Sequence, residues 1–325
     1  MVSSTSNLVV SAPGKLMVSG EYAVLEGAEA VVTAVNRRAY ARVRTASALE
    51  APAEARAAYA LVERSLGALG HEATVDVSSL RSQGFKLGLG SSAAAAAAAA
   101  GLAFAEHGHR LDSLEARARV FQAAYRGHQD IAPQGSGADV AASVYGGFLR
   151  FRRHGEAAEV APIHWPASLR VSVVWTGQEA RTSTFLARVS ALAAAQPERH
   201  RALIGALKQE AARFLDAVLA SDVRGVLAST IAYGAAMGTL GDAAGIPIVN
   251  DTLRKVAELA QQAGGAAKPS GAGGGDVALA IFPDDRSEQR FGALCQDHNF
   301  SLLLIELGAQ GVCLEGPHEP SEARE

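Results

Sequence analysis

The residues best equipped for chemistry lie in three glycine clusters, each adjoining Ser, Lys or Asp. The sharpest is Lys86-Leu87-Gly88-Leu89-Gly90-Ser91-Ser92-Ala93, which opens directly into the alanine run Ala93–Ala100. Glycine has no Cβ, so the backbone can fold closely round a ligand, and the free N–H groups and dipole of a following helix favour an anion there. A phosphate is the natural occupant. Two other phosphate loops are excluded. No Gly-x-x-x-x-Gly-Lys-Ser/Thr occurs anywhere. Gly88-x-Gly90-x-x-Ala93 matches the dinucleotide fingerprint formally, but the acidic residue due about 20 positions later is Asp112, which reads as a helix start.

The second cluster, Gln134-Gly135-Ser136-Gly137-Ala138-Asp139, also enters a helix and puts a carboxylate in its first turn. The third, Lys268-Pro269-Ser270-Gly271-Ala272-Gly273-Gly274-Gly275-Asp276, precedes an apolar strand. Alone it reads equally as a hairpin connection. Together with Ala12-Pro13-Gly14-Lys15, the clusters suit a backbone that wraps a phosphorylated ligand.

Ser11–Lys15 continued through Gly20-Glu21-Tyr22-Ala23-Val24-Leu25, then Gly88–Ala93 and Ser270–Asp276, resemble the motifs of the GHMP small-molecule kinases along nearly the whole chain. The resemblance implies an α+β fold of the α/β sandwich type with two lobes, a ribosomal-S5-type N-terminal lobe over 1–165 and a ferredoxin-like C-terminal lobe over 166–325. It implies ATP and Mg²⁺ as cofactors and a small phosphorylated acceptor in the cleft. Gly135–Gly147 and Val174–Thr184 are most similar to the phosphomevalonate kinase branch, with Arg181 where Ser is usual. Mevalonate kinases carry a magnesium-binding Glu where this chain has His128.

By that resemblance Lys86, Gly88, Leu89, Gly90, Ser91, Ser92 and Ala93 hold the ATP phosphates, and the Ser92 hydroxyl helps to hold Mg²⁺. Lys15 and Asp139 are the catalytic pair. Ser136, Gly137, Arg181, Ser183, Lys268, Ser270, Gly271, Ala272 and Gly273 meet the acceptor, Arg181 and Lys268 by neutralising its phosphate. The role of Asp139 depends on that acceptor. A hydroxyl needs a base, whereas a phosphate monoester, with a second pKa of ~6, is already a nucleophile near neutrality. The expected reaction converts 5-phosphomevalonate to 5-diphosphomevalonate. Mevalonate, homoserine or sugar kinases, diphosphomevalonate decarboxylase and a catalytically silent binding protein of the same fold stay open.

The elements that must position these residues follow from pattern. Strands are expected at Asn7–Ser11 and Leu16–Ser19 either side of a turn at Ala12–Lys15, then at Glu29–Ala34, Tyr40–Thr45, Thr74–Val77 and Phe148–Arg152. Helices are expected over Ala51–Gly67, from a Ser91 or Ser92 cap to Glu106, from a capping box at Asp112 and Glu115, and over Asp139–Val144. The second half offers strands Arg170–Trp175, Val277–Phe282 and Ser301–Leu307, with helices near Ser183–Ala195, Arg199–Ala220, Val223–Leu240, Asp251–Ala263 and Asp285–His298. Pro317–Glu325 reads as a frayed polar tail.

Composition bounds the rest. With 325 residues, 49% hydrophobic and 19% charged, the chain can build a sizeable core. Its net charge of −3 gives no footprint for binding nucleic acid. Cys295 and Cys313 form no Cys-x-x-Cys pair, which predicts a reduced, cytoplasmic setting. His107 and His109 read as a solvated helix end rather than a metal site. Met1–Asn7 lacks a signal-peptide pattern and no window reaches the ~18 apolar residues of a membrane span. A monomer or homodimer is expected.

Overall fold

Two antiparallel sheets with helices packed on them organise the chain, of which the computed structural model describes residues 8–44, 50–82, 84–155 and 157–316. Met1–Asn7 and the tail Pro317–Glu325 lie outside the described residues. The first sheet contains β1 (Val9–Ser19), β2 (Glu29–Val43), β3 (Ala73–Asp76), β6 (Phe148–His154), β7 (Ala157–Ile163) and β12 (Cys313–Leu314). Its order is β12-β1-β2-β6-β7, with β3 also on β2. The second is β11 (Ser301–Leu302), β8 (Arg170–Trp175), β10 (Val277–Phe282) and β9 (Ala266–Ser270), in that order. A small hairpin pairs β4 (Arg81–Ser82) with β5 (Phe85–Lys86).

β1 is one continuous strand, not two strands about a turn. Its pairing with β2 shifts register between Pro13 and Gly14, because Pro13 has no N–H for the ladder. A Cβ on Gly14 would lie 2.5 Å from Leu80 Cδ2 and 2.6 Å from the Leu89 carbonyl, so glycine lets the glycine loop approach the strand. β2 is likewise unbroken across the interval expected to separate two strands.

Helices α1 (Ala53–Leu66), α2 (Ser91–Glu106), α3 (Leu114–Ile131) and α4 (Ala138–Tyr145) pack on the first sheet. All the alanines of Ala93–Ala100 are fully buried, and α2 is apolar all round, the signature of a central helix. Small side chains let α1, α3, α4 and the sheet all approach it, which fixes where its N-terminus points. The cap of α2 is Gly90, in the left-handed region at φ 74°, rather than Ser91 or Ser92. The cap of α3 is Ser113, whose Oγ accepts from Ala116 N; the expected Asp112 instead pairs with Arg110.

The second sheet carries α8 (Asp251–Ala263) and α9 (Asp285–Asp297). Leu253, Val256, Leu259, Ala260 and Ala263 form the buried stripe of α8. α5 (Thr182–Ala195), α6 (Pro197–Leu219) and α7 (Val223–Ala244) build a further apolar cluster that includes Tyr22 and Ala23 from the first half of the chain. The expected second unit, 166–325, does not keep to itself. β12 returns to β1, and Arg38 clasps it by donating to the Gln310 and Gly311 carbonyls at 2.7 and 2.8 Å. No helix among the described residues is long and apolar enough to cross a membrane.

Candidate active site

Lys15 emerges just after the β1 irregularity and is locked to the first glycine loop. Its backbone N donates to Leu89 O at 2.8 Å, and its ammonium donates to Gly88 O at 3.3 Å. Gly88 and Gly90 both have positive φ, 76° and 74°. A Cβ on Gly90 would stand 2.7 Å from Lys15 Cγ, and one on Gly88 would stand 2.4 Å from Asp276 Cβ. The loop is thus glycine for two reasons, its backbone conformation and the side chains lying against it. The loop ends at the N-terminus of α2, with Ser91 and Ser92 in the first turn.

The second loop brings Asp139 into the first turn of α4, behind the left-handed cap Gly137. A Cβ on Gly137 would strike Tyr125 Cε2 at 2.4 Å. Asp139 Oδ1 accepts from Val140 N at 2.9 Å, and Ser136 Oγ accepts from Ala138 N at 3.2 Å. His128, buried on α3, lies between the first two loops: its Nε2 is 3.2 Å from Ser92 Oγ and 3.9 Å from Asp139 Oδ2. A hydroxyl and a carboxylate from separate helices therefore share one imidazole nitrogen.

The third loop is the connection from β9 to β10. Its start is strand, not loop, since Lys268, Pro269 and Ser270 pair with Leu279, Ala278 and Val277. Ser270 Oγ donates to Met17 O at 2.8 Å, and Tyr22 OH donates to Ala272 O at 2.5 Å, tying the loop to the first half of the chain. Asp276 closes it at φ 52°, its Oδ1 accepting from Ala180 N at 2.9 Å. Burial raises the Asp276 carboxyl above the usual range, opposed by that N–H and by Lys15.

These loops enclose a cavity of about 690 Å³, continuous with a smaller one of about 140 Å³ through shared walls at Lys15, Asp139 and Gly271. Of the residues expected from sequence, Lys15, Lys86, Gly88, Gly90, Ser91, Ser92, Ser136, Asp139, Arg181, Ser183, Ser270, Gly271 and Ala272 line it. Lys15, Lys86 and Arg181 do so with no ion pair among the described residues. Five expected residues stand behind the wall. Leu89 and Ala93 are core side chains, Gly137 abuts Tyr125, and Gly273 abuts the Ile248 carbonyl. Lys268 is the substantive correction. It is buried, with its ammonium committed to Glu21 Oε1 and to Pro269 O, and does not face an acceptor phosphate. Burial lowers its pKa, and the Glu21 carboxylate opposes that shift.

Sequence reasoning did not assign His128, Glu21, Tyr22, Gln134, Glu179, Thr182 or Asp276 to the site, yet all line the cavity. The adjoining motifs contained Glu21, Tyr22, Gln134 and Asp276, so proximity to glycine was a usable signal. Glu179 and Thr182 lie within Val174–Thr184, the stretch that resembles the family's motif, so the resemblance was a usable signal for them. As for Mg²⁺, Ser92 Oγ and the Asp139 carboxylate both face the cavity near His128 Nε2, and this ion is ordinarily held by one or two carboxylates with substrate phosphates completing the shell; among the described residues no group of three or more His, Cys, Asp or Glu side chains could hold a metal ion by itself.

The family model of the GHMP kinases N terminal domain matches residues 54–147, and that of the GHMP kinases C terminal domain matches residues 231–298. A phosphomevalonate kinase of Streptomyces sp. (strain CL190) is 27% identical, the alignment covering 88% of this chain and 93% of that protein. A mevalonate kinase of Aeropyrum pernix is 28% identical, covering 92% of this chain and 97% of that protein. Among solved structures, Streptococcus pneumoniae phosphomevalonate kinase in complex with phosphomevalonate and AMPPNP superposes with a TM-score of 0.78 at 18% identity, over 92% of this chain and 99% of that one. That likeness extends to the fold.

Proposed function

The chain belongs to the GHMP kinases, and we propose that within them it transfers the γ-phosphoryl group of ATP to 5-phosphomevalonate, giving ADP and 5-diphosphomevalonate. The observation that carries this reading is the trio Lys15, Lys86 and Arg181, cations with no ion pair among the described residues, on one cavity bounded by glycine loops. A triphosphate beside a phosphate monoester needs such charge, and an acceptor without a phosphate would leave part of it unmatched.

Phosphoryl transfer asks chiefly for positioning and charge stabilisation. The loop Gly88–Ser92 and the α2 N-terminus bind the ATP phosphates through backbone N–H groups. Lys15, lying across that loop and with its Nζ 3.9 Å from where a Gly271 Cβ would be, stabilises charge moving between donor and acceptor. An acceptor phosphate oxygen attacks the γ-phosphorus as the bond to the β–γ bridging oxygen breaks, and ADP leaves with that electron pair. Asp139 orients Lys15 and the acceptor rather than removing a proton, since a phosphate monoester is largely dianionic at neutrality. Arg181 and Ser183, which line the same cavity, hold the acceptor's phosphate. Ser92 would help to hold Mg²⁺, whose charge would offset that of the phosphates.

The similarity to the Aeropyrum mevalonate kinase favours a second reading, mevalonate as acceptor. Purified protein incubated with ATP-Mg²⁺ and mevalonate, phosphomevalonate or diphosphomevalonate separates them by ADP release. Turnover with phosphomevalonate alone is expected. Turnover confined to mevalonate, CO₂ release from diphosphomevalonate, or no ADP with any of them would overturn the proposal.

A further inference from the structure

Glu21 lies in a tightly constrained turn. Gly20 precedes it at φ 103°, where a Cβ would collide with Ala30 at 2.5 Å, and Tyr22 follows at φ 60°. The second half of the chain then holds it from three sides. Lys268 donates to Oε1, Gly271 N donates to the same oxygen at 3.4 Å, and Tyr233 OH donates to the Glu21 carbonyl at 2.7 Å. The Lys268 ammonium also lies 5.4 Å from the Tyr233 ring centroid, so it is fixed in its turn. The other carboxylate oxygen, Oε2, is buried and has no hydrogen-bond partner among the described residues. Yet Glu21 is part of the wall of the smaller cavity, beside Lys15 and Asp139.

A buried carboxylate oxygen without a donor is costly, and a carboxylate in the wall of an anion site repels the ligand unless it meets a donor. We infer that Lys268 is a positioning residue that presents Glu21 Oε2 to a hydroxyl group of the acceptor, so that the pair selects a hydroxylated phosphate ester. This rests on the acceptor proposed above, whose one neutral donor group is the hydroxyl on C3. The acceptor's carboxylate and phosphate are then directed away from Glu21, and the phosphate falls toward Lys15 and Arg181.

The test compares KM for phosphomevalonate and for its 3-deoxy analogue at saturating ATP, with KM for ATP as the control. The enzymes are the parent chain, Glu21→Gln, and the double variant Glu21→Met with Lys268→Met. Replacing both members of a buried ion pair with apolar residues of similar volume often leaves stability intact, and thermal unfolding checks that. The parent should favour the hydroxylated acceptor about ten- to hundredfold, as a charge-assisted hydrogen bond implies. Glu21→Gln should reduce that ratio to a few-fold, and the double variant should bring it to about one, with KM for ATP unchanged in both. If the double variant does not fold, Glu21→Gln decides. A parent ratio near one, or a ratio that survives the substitutions, overturns the inference while leaving the kinase reading intact. A parent chain that does not use phosphomevalonate at all removes both.

Discussion

Gly90→Ala puts a methyl group where the site has no room. The position has φ 74°, and the added Cβ would lie 2.7 Å from Lys15 Cγ and 3.1 Å from Cε. The left-handed backbone alone costs about 1–2 kcal/mol for a residue with a Cβ. Ordinary carbon contacts begin near 3.5 Å, so the Lys15 stem must retreat by about 0.8 Å, taking the ammonium with it. A misplacement of about 1 Å in a phosphoryl-transfer site is worth on the order of 100-fold in rate. Gly245→Ala is the matched control, because Gly245 has φ 66° at the end of α7 with nothing within 4 Å of its would-be Cβ. Both variants should lose a few degrees of thermal stability, at about 2–4 °C per kcal/mol. Steady-state ADP release should fall by about 100-fold in Gly90→Ala only. Parental turnover in Gly90→Ala, or an equal loss in Gly245→Ala, would refute the claim that Gly90 is kept to seat Lys15.

Other expectations follow from single contacts. Tyr22→Phe removes the donor to Ala272 O and should raise KM for the acceptor about three- to tenfold, with KM for ATP unchanged in initial-rate assays. Asp276 has a raised folded-state pKa, so its contribution to stability is present below the unfolded value near 3.9 and is lost as pH rises through the folded one. Asp276→Asn should accordingly unfold at a higher temperature than the parent at pH 7, and the difference should vanish in melts below about pH 4. Asp139→Asn should lower kcat by less than about 100-fold if the acceptor is a phosphate, and by 100-fold or more if a hydroxyl must be deprotonated.

Glycine and serine make the glycine loops legible in the sequence, because a positive φ beside a helix start is a local requirement that leaves a compositional trace. α2 was equally plain, since a run of alanines is helical in almost any setting. Which residue caps it was not, because Gly90 and Ser91 both suit that place and the choice falls to the close pass of Lys15. Lys268 was read as facing the ligand because it adjoins glycines. β9 is buried on both faces, so alternation gives no clue to which side its ammonium takes. Its partner is 247 positions away. β12 spans two residues, too few to carry a period, and only the geometry of β1 and Arg38 identifies it.

That short strand sets the order in which the molecule can be completed during synthesis. Until residue 314 has left the ribosome, Val10 and Ser11 have no partner at Leu314 and Cys313, and the edge of β1 stays unpaired. Arg38 likewise has no Gln310 or Gly311 carbonyl to hold. An open strand edge invites pairing with another chain. A nascent chain halted within α9 would thus carry all three glycine loops in full and still be a candidate for aggregation.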